Sequence, residues 1–205
     1  MITKLYLWEQ QYYKVMSVKP RNIGSSSSTS SDVDETERSD ADKNAYKVCQ
    51  TCPRFLTIKK LSINKALIRP VGLTQNNAMD TLPNIFDIAW YNKSGTPGSG
   101  KPILINAHNG GPTKSGVFGK LDTLKVNDIV HIERGDGKHF DYRIVESQIM
   151  PLSQANNYMA TMLQSPQAGV ESLSMISCAG NYSEQQKTFT DRAMLRAVLI
   201  ERNQN

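Results

Sequence analysis

The chain has only three cysteines in 205 residues. An odd number cannot all pair within one molecule, so a fully disulfide-stapled scaffold is excluded and at least one thiol needs another account. No apolar run approaches the roughly 18 to 20 residues that a membrane-crossing helix requires. The first residues also lack a basic stretch followed by an apolar core, the mark of a secretory leader. On these grounds the chain reads as soluble, with any targeting segment lying outside it. Histidine is scarce, with three in all. Apolar residues make up 39%, which is low for a chain packed throughout and places part of it outside the core. What remains is long enough to bury a real core.

Twenty-four basic residues against 19 acidic ones leave a formal charge of +5 and a pI near 9.1. That balance suits an anionic setting such as nucleic acid, a membrane surface or an acidic cell wall, and equally an ordinary solvated surface.

Composition changes abruptly near residue 24. Residues 24–44 are rich in Ser and acidic side chains with a single apolar residue, Val33. Such a stretch buries too little to offset the entropy of ordering and is expected to be a disordered linker. Before it, Leu5, Trp8, Tyr12 and Val15 recur at helical spacing, which fits a membrane-adjacent stub or a loosely ordered tail. Residues 1–48 are therefore expected to form a tail, and residues 49–205 one folded domain.

That domain reads mainly as strands. Residues 55–61, 66–71 and 102–107 are short β-rich runs. Residues 128–133 and 139–145 alternate across a Gly135-Asp136-Gly137 turn, and 172–178 and 193–200 complete the set. About seven short strands predict a sandwich or closed barrel. Helix is expected only over 158–164 and part of 81–87. The stretch 179–190 reads as a long loop bordering a groove.

Cys178 ends an apolar strand and precedes Ala179-Gly180, where a substrate carbonyl has access; a buried structural thiol is the competing reading. A nucleophilic thiol needs a proton acceptor or a cation to hold its thiolate. His131 and His139 lie within alternating strands. His108 stands at a strand-to-loop junction before Asn109-Gly110-Gly111-Pro112, which makes it the best placed of the three. Arg192 opens the last strand. Its permanent charge and rigid fork suit a developing oxyanion, and a surface ion pair is the alternative. Cys49-Gln50-Thr51-Cys52 is spaced as a redox pair or half a zinc site. No second pair completes a zinc set, so a disulfide or idle thiols are expected there.

Taken together, PVGL at 70–73, AMD at 78–80, AHNGG at 107–111, GVFGKLDTLKVNDIVHI at 116–132, GDGKHFDYRIV at 135–145, LSMISC at 173–178 and TFTDRAMLRAV at 188–198 resemble the sortase family. The resemblance runs over about residues 54–200 and keeps the order His, Cys, Arg. Ser177 stands where many sortases have Thr, and the hydrophobic N-terminal helix usual in the family is not in this sequence. The resemblance implies an all-β closed barrel of about eight strands with short connecting helices. It implies a cysteine transpeptidase with His108, Cys178 and Arg192 as catalytic residues and Ser177 and Ala179 beside the substrate. The substrate would be a secreted protein with a C-terminal motif similar to Leu-Pro-x-Thr-Gly, and the acceptor an amine of the cell wall or a pilin Lys. No cofactor, metal or nucleic acid is implied, and calcium modulation of a loop is left open. The place of action would be the outer face of the cell membrane. A cysteine protease that only hydrolyses, and a non-catalytic barrel that binds peptide or acidic polymer, remain as alternatives.

Overall fold

The computed structural model describes residues 33–75 and 78–203, with side chains described up to residue 200. The amphipathic pattern of residues 5–15 lies outside the described residues. Eight strands form the domain: β1 (Pro53–Ile58), β2 (Ile63–Val71), β3 (Ile88–Tyr91), β4 (Ile103–Asn106), β5 (Ile129–Arg134), β6 (His139–Pro151), β7 (Ser172–Ser183) and β8 (Thr188–Asn203). They close into a barrel in the order β1-β2-β3-β4-β7-β8-β6-β5. Two neighbouring pairs, β2–β3 and β4–β7, are parallel; the other pairs are antiparallel.

Alternation decides which side chains fill the interior. From β6 come Phe140, Tyr142 and Ile144; from β7 Leu173, Met175 and Ala179; from β8 Ala193, Leu195 and Ala197. Closure leaves no unpaired edge within the barrel. One buried carboxylate crosses this interior. Glu171, 2% exposed, accepts the Tyr142 hydroxyl at 2.7 Å and the amides of Gly98 at 2.9 Å and Gly100 at 2.7 Å. Both glycines have positive φ, 87° and 75°, so the turn that aims these two amides inward needs residues without a Cβ.

The strand expectations hold with modest changes of boundary, and β3 is the strand missing from the sequence reading. The helix expected over 158–164 is α2 (Leu152–Met162), which begins earlier; 81–87 is not helical. Residues 179–190 are mostly not loop. β7 and β8 continue pairing to Ser183↔Thr188, leaving a tight hairpin tip.

The acidic stretch also differs from expectation. Residues 24–32 lie outside the described residues, but 33–44 are ordered against the barrel and include α1 (Asp40–Ala45), started by a Ser39–Asp42 capping box. Composition misleads here because ionic and polar bonds, not burial, hold the segment. Arg38 gives two bonds to Asp87, at 2.9 and 2.7 Å, and Arg69 gives a third at 2.6 Å to this carboxylate, which is 2% exposed. Asp34 accepts from the Asn84 side chain at 2.7 Å, and backbone bonds join Asp34 to Pro83 and Ile85. Glu35 accepts the amides of Thr113 at 2.8 Å and Lys114 at 3.0 Å, and also the Thr113 hydroxyl.

Candidate active site

Cys178 lies near the end of β7's contact with β4, and its Cα pairs directly with that of Arg192 on β8. Since Met175 and Ala179 point into the core, alternation sends Cys178 to the outer face with Ile176 and Ser174. Across the ladder, Arg192, Met194 and Arg196 share that face. On the other side, the parallel β4–β7 register runs from Ile103↔Leu173 to Asn106↔Ile176 and is carried on by a bond from the Ala107 amide to Ile176 O. His108 follows two residues after Asn106, the last paired residue of β4. Cys178 and Arg192 thus face each other across β7 and β8, and His108 follows the end of β4, the strand on β7's other side.

Each is held by its surroundings. The His108 Nε2 donates to Leu82 O at 2.7 Å, which fixes the tautomer and leaves Nδ1 without a partner among the described residues. Burial pushes the Cys178 thiol above its ordinary pKa, and the positive charge of Arg192 opposes that rise. Arg192 Nη1 donates to Phe189 O and Asp191 O, and Nη2 donates to Thr188 Oγ1.

The side chains of Ser177 and Ala179, expected beside the substrate, do not share the face of Cys178. They are 3% and 7% exposed and point to the opposite face from Cys178, as period-two alternation requires. Ser177 instead donates to Ala107 O at 3.0 Å and ties β7 to the residue before His108. Cys49 and Cys52 form a disulfide at the start of β1, which leaves Cys178 the one free thiol. No group of three or more His, Cys, Asp or Glu residues able to hold a metal occurs among the described residues.

The sequence reading missed a second apolar cluster outside the barrel. Leu104, Met150, Ala155, Met162 and Met194 are buried there, with Met79, Tyr91, Met159 and Ile176 packed around them. α2 covers one end and the residues before β3 flank the other. Five of the eight methionines gather here, an adaptable packing between α2 and the outer face of the barrel. The signal available in the sequence was that Leu104, Ile176 and Met194 alternate out of step with the core.

Residues 56–200 match the model of the sortase domain. The chain belongs to the sortase family. Solved structures share its fold: the pilus-related sortase C of Group B Streptococcus, with 18% identity, covers 76% of this chain and 70% of its own at a TM-score of 0.54. Sortase A from Corynebacterium diphtheriae, with 16% identity, covers 76% of this chain and 64% of its own at 0.55. No curated protein matches the sequence. Sortases are sorting enzymes generally associated with the cell surface. Among the described residues of this member, no helix is long and apolar enough to cross a membrane.

Proposed function

We propose that this sortase is a cysteine transpeptidase that cleaves an LPxTG-like motif near the C-terminus of a secreted protein and joins that protein to an amine. The observation that carries the reading is the direct pairing of Cys178, the free thiol, with Arg192 across β7 and β8, on the sheet where β4, which leads to His108, is β7's other neighbour.

The Cys178 thiolate attacks the carbonyl carbon of the motif's Thr. The carbonyl π-electrons move onto oxygen, and Arg192 stabilises the oxyanion. As the oxyanion collapses, the Thr–Gly bond breaks and protonated His108 gives its proton to the departing Gly amine. A thioester on Cys178 remains. An amine then attacks it, loses a proton to His108, and expels the Cys178 thiolate as the new amide forms. No cofactor is needed. Because burial raises the thiol pKa, the charge of Arg192, which opposes that rise, is what would help to hold a thiolate. Cell-wall precursors or a pilin Lys are the acceptor classes proposed, and the outer face of the cell membrane the place of action.

The test is mass spectrometry of the enzyme and products with a small library of sorting peptides, with and without added amine. An acyl adduct on Cys178 and an amide carrying the added amine are expected, both lost in Cys178→Ala. Free acid as the sole product would convert the reading to a hydrolase. The absence of any adduct or cleavage across the library would refute it in favour of a binding module.

A further inference from the structure

The hairpin that carries Arg192 also grips it. Nη1 spends both hydrogens on backbone carbonyls, Phe189 O at 3.0 Å and Asp191 O at 2.8 Å, and Nη2 spends one on Thr188 Oγ1 at 3.1 Å. A guanidinium is planar and carries five hydrogens in fixed positions. Three fixed bonds therefore set its plane. The two hydrogens left over, one on Nε and one on Nη2, have no partner among the described residues.

Two of the three acceptors are main-chain carbonyls. Thr188 is the side chain in the set. It is the first residue of β8, four before Arg192, and so lies on the same face. The Arg192 side chain thus runs back along its own strand towards the hairpin tip, while its Cα stays opposite Cys178.

Resting on the transpeptidase reading above, we propose that Thr188 is a positioning residue for Arg192, turning the guanidinium so that its unspent hydrogens are the ones presented to the oxyanion. The hydroxyl acts as an acceptor, so Thr188→Ser keeps the function and the near-isosteric Thr188→Val removes it.

The experiment measures kcat and KM on a cleaved sorting peptide for Thr188→Val, Thr188→Ser, Arg192→Ala and the Thr188→Val/Arg192→Ala double variant, together with the pH dependence of Cys178 alkylation by iodoacetamide. Thr188→Val should lower kcat about tenfold, the scale of one hydrogen bond to a charged group. KM should stay within about twofold and the melting temperature should not move. Thr188→Ser should stay within about twofold of wild type, and Thr188→Val should do nothing further once Arg192 is Ala. The alkylation midpoint should rise in Thr188→Val, because a loosened Arg192 opposes the thiol's burial less. A wild-type kcat in Thr188→Val, an equal loss in the Arg192→Ala background, failure of Ser to substitute, or an alkylation midpoint that does not rise would each overturn the positioning role. Should Arg192→Ala itself keep the wild-type rate, the oxyanion reading falls and takes this proposal with it. A crippled Arg192→Ala beside an unaffected Thr188→Val removes the positioning role alone.

Discussion

Cys178 and Arg192 are direct partners across the β7–β8 ladder, whereas Arg196, on the same face four residues further along, pairs with Ser174 and gives its Nη1 to Glu146 on β6 at 2.7 Å. Two arginines that look interchangeable in sequence therefore have different work. Arg192→Ala should cost on the order of 10² to 10³ in kcat, the scale of one lost oxyanion donor. Arg192→Lys should not fully rescue, since an ammonium lacks the fork. Arg196→Ala should stay within about tenfold in kcat but lower stability by about 1 to 3 kcal/mol, because Arg196 is 6% exposed and ties β8 to β6 and to Gln164 O. Steady-state kinetics and thermal melts on the three variants check this. A larger kcat loss in Arg196→Ala would mean that the roles are reversed.

Burial raises the Cys178 thiol and Arg192 pulls it down. The alkylation rate of Cys178 should therefore climb with pH to a midpoint above 9.0, the ordinary cysteine value. The midpoint should rise further in Arg192→Ala. A Cys49→Ser/Cys52→Ser variant should give the wild-type profile, since neither residue touches the site. A midpoint well below the ordinary value would mean that a cation dominates burial.

Asp34 fastens the N-terminal segment beside Leu82, whose carbonyl holds His108. Hydrogen bonds from Asn84, then Thr36, lower its pKa from 3.8 to about 2. The folded value is depressed, so the docked state gains stability above the unfolded pKa and loses it as pH falls towards the folded one. The side-chain amide resonances of Asn84 should be constant above pH 4 and shift between about pH 4 and 2. A transition centred near pH 5 would show that Asp34 is not the fastening. Arg38→Ala should loosen the same segment at neutral pH, seen as faster amide exchange at Ile85.

A Cβ on Gly116 would sit 2.4 Å from His108 O and 2.9 Å from the Gly110 amide. Gly116→Ala must therefore push the His108 main chain or the loop after it. About 1 to 3 kcal/mol of destabilisation is expected, as for other overpacked sites, with a loss of kcat from a displaced imidazole. Gly72→Ala meets nothing within 4 Å and serves as the control. Equal melting temperatures for the two variants would contradict the crowding.

The barrel was legible where alternation was clean. Phe140, Tyr142 and Ile144 announce β6, and Leu173 and Met175 announce β7. β3 was missed because Ile88, Ala89 and Trp90 are all buried and give no alternation over four residues. The 33–45 segment was missed because a burial argument cannot see Arg38 reaching Asp87. The β7–β8 hairpin tip reads as loop because its residues are polar, yet paired strands facing solvent need no apolar side chains. At the site, Cys178 was expected to end its strand and Arg192 to open the next, but β7 runs on to Ser183 and β8 starts at Thr188, so both lie within the hairpin. What could not be read was which oxygens each ring or fork would bind. The placement of Ser177 and Ala179 was readable after all, since neighbours of an outward-facing Cys178 must face inward.

Ser177 and Ala107 lie 70 residues apart in the sequence, yet the bond between them belongs to a parallel pair whose crossover contains β5, β6 and α2. Loop-closure entropy must be met before that pairing gives anything back, so β4 and β7 are expected to meet late in folding. Until they do, the whole crossover separates β4 from β7. A nascent or partly unfolded chain then carries Cys178 apart from the strand that leads to His108.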